Sequence, residues 1–592
     1  MSHLLRNRRI ANYVTQRFQQ TQVKVKLNQT PGIVTTGPVF KNAKNFPDKV
    51  AIRDRIAGYT YANIFLSANE LSKEISSLLG GKTNERVLFL CPNDVHYVIT
   101  LWAIWMSGQI AIPVSPLHPA GLLMYYANDS SSKLLITVPE FADVMSRVTR
   151  NSRSHLHVLD DRLKLNCTMM EASRTSDLEQ GGKEDAFYNK SDAMILYTSG
   201  TTANPKGVVL SHKNLSAQVG ALLNSWKFTP DDVMLHTLPL HHIHGIINAL
   251  LCPLYAGAKT IMLKKFNANT VWSYLLGVSA RPEDRRISLF MGVPTMYFKL
   301  IDEYERVFQS DAKMAEYIKN TLRSKIRLMI SGSAPLPAPL HHRWEDITGH
   351  KLLERYGLTE TGMVLSNAYN SDREPGYVGI PLPGVFVKLV EVLDNQEDKY
   401  GRTLLECSNL DGTLTFRKLP QKTDKGEDPV GELLVKGAGI FKNYHDRPDS
   451  TKNSFTSDGW FKTGDLCQYS LEKKKFKMLG RKNVDIIKSG GHKISALEVE
   501  AALLGAPFVR DCSVVGIADK EWGQKVVAIV QIGVTSNGTQ PEQAELVAWA
   551  EANLPKYAVP KDWRFVDAIP KNYMGKVNKK EVLTLAFGPD HT

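Results

Sequence analysis

Seven short apolar runs, at 86–90, 110–114, 134–138, 194–198, 233–238, 259–263 and 326–330, recur through the first 330 residues. Amphipathic stretches separate them. Apolar runs of this length read as buried strands, and the stretches between them as surface helices. Alternation of the two predicts α/β layering. The most apolar run, 97–114, is interrupted by Gly108, Gln109 and Pro113. It reads as a buried helix running into a strand, because a membrane span needs about 20 apolar residues.

At 592 residues the chain exceeds what one hydrophobic core serves, so two or more domains are expected. Two polar stretches break the alternation. Residues 173–192, with Gly181 and Gly182, read as a surface linker, and 394–428 as an elaborated loop. Beyond Gly480-Arg481 the pattern changes to a helix at 495–504, strands at 511–515 and 525–532, and a helix at 542–553. The predicted fold is therefore α/β with α+β. A large layered domain spans 37–482, and a small α+β domain spans 483–592.

The net charge of +13 is uneven. Arg6, Arg8, Arg9, Arg17, Lys24 and Lys26 all precede the first acidic residue, Asp48. Leu4, Leu5, Ile10, Tyr13, Val14 and Phe18 lie among them at roughly helical spacing. That composition predicts a mitochondrial transit segment over 1–26 and a matrix location; the alternative is a disordered basic tail. The remaining positive charge is too diffuse to argue for nucleic acid as a partner. The six cysteines are scattered with no C-x-x-C pair, giving neither a zinc site nor a disulfide framework.

Tyr197-Thr-Ser-Gly-Thr-Thr-Ala-Asn-Pro-Lys-Gly207 follows the apolar run 193–196. Ser199, Thr201 and Thr202 supply hydroxyls, Gly200 and Gly207 permit close backbone approach, and Lys206 adds a point charge. It is not a Walker A loop, because Pro205 precedes Lys206 and Gly207 follows it. Taken alone, it is either a phosphate-gripping loop or a polar turn.

The segment from Thr198 to Lys206, with Asn204 and Pro205, resembles the ATP signature of the adenylate-forming superfamily, which includes acyl-CoA synthetases. Ala203 stands where that family usually has glycine, so the position has ordinary φ or the loop is strained. Slower loop motion, not lost activity, is expected. The resemblance continues along the chain. Glu354-Arg-Tyr-Gly-Leu-Thr-Glu360 is similar to the adenine and magnesium segment, implying that Tyr356 stacks on adenine, Thr359 meets the α-phosphate and Glu360 binds Mg²⁺. Thr463-Gly464-Asp465 resembles the ribose clamp, and Gly480-Arg481 the pair at the domain junction whose guanidinium reaches the ribose. Asn483 then falls at the hinge. Lys488-Ser-Gly-Gly-His492 resembles the lining of the CoA tunnel, with Gly490 and Gly491 at its turn. Pro570-Lys-Asn-Tyr-Met-Gly-Lys576 resembles the loop whose lysine touches the carboxylate and α-phosphate.

The resemblance implies the adenylate-forming enzyme fold with a mobile C-terminal lid. It also implies an acid–thiol ligase that uses ATP, Mg²⁺ and coenzyme A, proceeds through an acyl-AMP, and releases AMP and pyrophosphate. The other partner is a small carboxylic acid; no transmembrane segment is expected.

Leu238-Pro-Leu-His-His-Ile-His-Gly245, Val293-Pro-Thr-Met-Tyr297 and Ser331-Gly-Ser-Ala-Pro-Leu336 are similar to the malonyl-CoA and methylmalonyl-CoA synthetase branch. In that branch a basic residue and a serine receive the second carboxylate, implying Lys299 and Ser333 here, with His244 against the acyl pocket. Taken without the resemblance, Lys299 is an exposed helix lysine beside Asp302 and Glu303, and His244 a packed core histidine. Arg327 is a second basic candidate, read as capping the strand that enters Ser331. His241, His242 and His244 have no fourth ligand spaced for a metal. Two alternatives stand beside the dicarboxylate reading: a medium-chain acyl-CoA synthetase, and a non-catalytic nucleotide-binding protein.

Overall fold

Burial on both faces makes a parallel strand read as a continuous apolar run, and each of the seven runs is a strand. The computed structural model describes residues 37–588 apart from 151, 172–174, 199–203, 279–280, 394–399, 411–412, 507, 534–541 and 572–576. The expected transit segment lies outside the described residues. In one seven-stranded sheet, Arg86–Leu90 pairs in parallel with Ile110–Pro113 on one side and Leu134–Thr137 on the other. Asp192–Thr198 joins in parallel and then turns back as Lys206–Ser211. The run 97–114 is a helix, Val95–Met106, followed by the strand Ile110–Pro113. Asp94 starts the helix by accepting from the His96 N–H at 3.0 Å, the usual work of an N-cap carboxylate. Trp105 fixes it to the sheet by donating to the Ala193 carbonyl at 2.8 Å.

A second sheet carries a parallel block: Lys259–Met262, Val233–His236, Leu289–Gly292, Leu328–Ser331 and Leu353–Leu358. At Leu353–Leu358 the direction changes, because the chain returns antiparallel as Gly362–Ser366 and continues into further antiparallel strands. Ligands in α/β sheets gather beyond the carboxyl ends of such parallel strands. Here those ends carry Ser333, the Pro294–Val307 helix and the 358–361 turn.

A third sheet, of Ile486–Ser489, His492–Ser495, Val509–Asp519, Gly523–Ile532 and Asp562–Phe565, has its own core of Ile487, Val499, Val514, Ala528 and Leu546. Helices Ala496–Leu503 and Gln543–Asn553 contribute to that core. Among the described residues no helix is long and apolar enough to cross a membrane.

One expectation holds in part and another needs correction. Residues 176–192 are largely exposed, as expected of a surface segment, but they carry the helical turn Asp185–Tyr188 and bury Leu178 and Tyr188. The Tyr188 hydroxyl is buried, accepting from Lys183 N–H at 2.9 Å and donating to the Trp105 carbonyl at 3.0 Å. A Cβ on Gly182 would meet Phe40 at 2.8 Å, so glycine lets the chain close over that ring. Residues 400–418 are not a loop but two antiparallel strands, Tyr400–Leu410 and Thr413–Lys418, registered on Val385–Val392 through Cys407 and Val387. Their outer face is solvated, so half of each strand reads as polar.

Candidate active site

Antiparallel pairing of Phe461–Ser470 with Lys475–Arg481 sets Asp465 opposite Arg481. The Arg481 Nε donates to Asp465 Oδ1 at 2.9 Å, and the Tyr356 hydroxyl donates to Oδ2. Burial pushes the Asp465 carboxyl up from its ordinary value, while the Arg481 charge pulls the other way. Burial and the neighbouring carboxylate together raise the Tyr356 hydroxyl. The result is one carboxylate with both oxygens aimed at donors, a geometry that also suits two adjacent sugar hydroxyls.

Beside it, Leu358 N–H donates to Thr361 Oγ1 at 3.1 Å, closing the turn that holds Thr359 and Glu360. Only glycine fits at 357, because a Cβ there would lie 2.1 Å from the Gly362 carbonyl oxygen. Glu360 Oε1 accepts from the Tyr444 hydroxyl at 2.8 Å. Lys206 Nζ lies over the ring of Tyr444, 5.3 Å from its centroid. Lys206 is also the cross-strand partner of Thr198. The Pro205 carbonyl accepts from Tyr125 at 2.8 Å, and Asn204 precedes it. Thus Thr198, Lys206 and Glu360 are brought to one region with Tyr444 between the last two. Ser199, Gly200, Thr201, Thr202, Ala203 and Lys576 lie outside the described residues.

A second cluster forms where Leu328–Ser331 ends. His244 opens a π-helical segment, His244–Leu251, and its Nδ1 lies 3.1 Å from Ser333 Oγ. Burial, then the Arg355 charge, holds this imidazole well below its ordinary pKa, so it is neutral. Ser333 itself has φ of 70°. Arg355 is 5% exposed, and its Nε and Nη2 have no partner among the described residues. A Cβ on Gly332 would lie 2.4 Å from the Arg355 Cζ, so the guanidinium lies against the 331–333 turn only because residue 332 is glycine. Burial lowers the Arg355 pKa to about 9. The parallel N–H donors of a guanidinium match a planar carboxylate bidentately.

Lys299 is exposed on Pro294–Val307 and has no ion pair among the described residues. Arg327 does more than cap its strand. It grips Asp232 through Nε–Oδ1 at 2.7 Å and Nη2–Oδ2 at 2.6 Å, and so is occupied structurally. Asn483 is exposed in the turn 482–485, and the Asp485 carboxylate accepts from Arg481 N–H at 2.9 Å across it. Gly490 and Gly491, at φ of 55° and 78°, turn Ile486–Ser489 into His492–Ser495.

Residues 39–445 match the model of the AMP-binding enzyme family, and 498–576 that of the AMP-binding enzyme C-terminal domain. The chain belongs to the AMP-binding enzyme family. It is similar to the mitochondrial malonate–CoA ligase ACSF3 of Mus musculus, with 42% identity over 563 residues, 94% of this chain and 92% of the relative. The malonate–CoA ligase of Arabidopsis thaliana is 35% identical over 571 residues, 92% of this chain and 87% of that relative. Among solved structures, ATP-bound MatB from Rhodopseudomonas palustris superposes with a TM-score of 0.76 at 29% identity, covering 95% of this chain and 100% of that one.

As a member of this family the chain is an AMP-forming acyl-CoA ligase with the adenylate-forming enzyme fold, using ATP and CoA. Arg355 lies inside the Glu354–Glu360 motif, and sequence reasoning assigned it no role. The one available signal was Gly332, whose missing side chain makes the room.

Proposed function

We propose that the chain ligates malonate to coenzyme A through malonyl-AMP, with methylmalonate the alternative acid. The carrying observation is the buried Arg355, with unmatched donors beside His244 and Ser333. A dicarboxylic acid offers one carboxylate for chemistry and one for this cation. A fatty acid would leave the charge unpaired beside its alkyl chain, which costs several kcal/mol. The names of the relatives, malonate–CoA ligases from animals and a plant, support the same acid. Lys299, the basic residue that the family resemblance assigns to that carboxylate, remains a second candidate for receiving it.

In the first half-reaction the carboxylate oxygen attacks the α-phosphorus, forming the acyl–O–P bond while pyrophosphate leaves. Lys206 and Lys576 offset the repulsion between carboxylate and triphosphate. Tyr356, Asp465 and Arg481 hold the nucleoside, Thr198 to Lys206 the phosphates, and Thr359 the α-phosphate. Glu360 fits a magnesium ion: Tyr444 holds one oxygen and the other has no hydrogen bond among the described residues. Magnesium bound there would neutralise phosphate oxygens. In the second half-reaction the thiol attacks the acyl carbon and AMP leaves. The lid 483–592 would rotate against 37–482 about Asn483, taking Lys576 away and bringing Gly490 and Gly491 to the pantetheine. The basic segment 1–26 and the mitochondrial relatives support import into the matrix.

The test is CoA-dependent thioester formation by the purified chain with malonate, methylmalonate, acetate and octanoate. Malonate or methylmalonate should dominate; a preference for octanoate would overturn the assignment.

A further inference from the structure

Away from the nucleotide and acyl sites, the helix Ala338–Thr348 carries His341, His342 and Glu345. One ligand atom from each lies within 4.8 Å of the others, the one such group of three among the described residues. The spacing explains the convergence, because Glu345 is four residues after one histidine and three after the other, both neighbours on a helix surface. His341 is 1% exposed, and its Nε2 sits 3.2 Å from the Leu352 carbonyl oxygen. A carbonyl only accepts, so Nε2 carries the hydrogen and the lone pair resides on Nδ1. That Nδ1 is buried and has no hydrogen-bond partner among the described residues. Metal-binding histidines are oriented in this way, with the second ring nitrogen donating to a backbone carbonyl. His342 is exposed and Glu345 half-buried, giving an ion a path from solvent.

We propose that His341, His342 and Glu345 form a binding site for one divalent transition-metal ion of the zinc class, separate from the magnesium–nucleotide site. Two imidazoles and one carboxylate are a borderline donor set suited to Zn²⁺ or Co²⁺ and poorly suited to Mg²⁺. Water would complete the coordination.

The test is equilibrium dialysis of the untagged, chelator-stripped full chain against Zn²⁺ without nucleotide, paired with Co²⁺ absorption spectroscopy. The expected result is one Zn²⁺ per chain and visible Co²⁺ bands that Zn²⁺ displaces. His342→Ala and Glu345→Gln, both at accessible positions, should each weaken binding by at least about tenfold, since even outer-sphere partners contribute that much. Ligase activity with excess Mg²⁺–ATP should be unchanged in His342→Ala. Absence of stoichiometric Zn²⁺ uptake by the unsubstituted chain, or unchanged affinity in either variant, would overturn the site.

Discussion

Replacing Arg355 with methionine removes a buried cation left unmatched among the described residues, and so isolates what a ligand contributes to it. At an effective dielectric near 20 and a separation of about 4 Å, a carboxylate–guanidinium pair contributes about 4 kcal/mol. Loss of that pair should lower kcat/KM for malonate roughly a thousandfold. Acetate has no second carboxylate, so its kcat/KM should move little. Arg355→Lys keeps a charge without the forked donors and should fall between, losing about tenfold to a hundredfold, the worth of one charge-assisted hydrogen bond. Folding is not expected to suffer, because an unpaired buried charge has been exchanged for an apolar side chain. The assay is thioester formation with both acids at varied concentration, with Lys299→Met run in parallel. If Arg355→Met lowers malonate and acetate turnover equally, or if Lys299→Met alone abolishes malonate selectivity, the buried guanidinium is not the receptor.

Asp465→Asn removes the charge that faces Arg481 and the proposed ribose, and should raise KM for ATP by about tenfold to a hundredfold in pyrophosphate-release assays. Arg327→Met leaves Asp232 buried without its partner and should cost about 3–5 kcal/mol in denaturant melts while sparing KM values. Burial lifts the Glu354 carboxyl to about 8, so the folded chain keeps a proton that the unfolded chain releases near 4.5. Stability should therefore decline as pH rises from about 4.5 to 8, at no more than about 1.4 kcal/mol per pH unit. Glu354→Gln keeps an acceptor for the Gly376 N–H and should flatten that decline in melts at pH 5, 6.5 and 8. An unchanged slope would show that Glu354 is ionised in the fold.

Strands such as Arg86–Leu90 and Leu134–Thr137 were legible because burial on both faces leaves a continuous apolar stretch, with Arg86 and Thr137 only at their ends. Tyr400–Leu410 was not, because one face meets water and its alternation resembles a loop. In the largely exposed segment 176–192 two glycines look like slack, whereas here they make room for Phe40 and Phe65. The residues proposed to face the nucleotide sit in short, chemically distinctive motifs, and the structure brings Tyr356, Asp465 and Arg481 together from three strands. Arg355 is the opposite case. Its meaning depends on its burial and on the empty side of Gly332, and neither is a property of the motif that contains it.

Ser333 is held in the left-handed region, where a side-chain-bearing residue is disfavoured by about 1–3 kcal/mol and glycine is not. A thermostability screen would therefore reward Ser333→Gly and report it as a harmless gain. The same change deletes the hydroxyl that meets His244. On the proposed role of Ser333 in holding the acid, selection for heat resistance and selection for acid discrimination pull in opposite directions at a single codon, and a lineage that drifts toward the more robust fold would drift toward a less choosy enzyme.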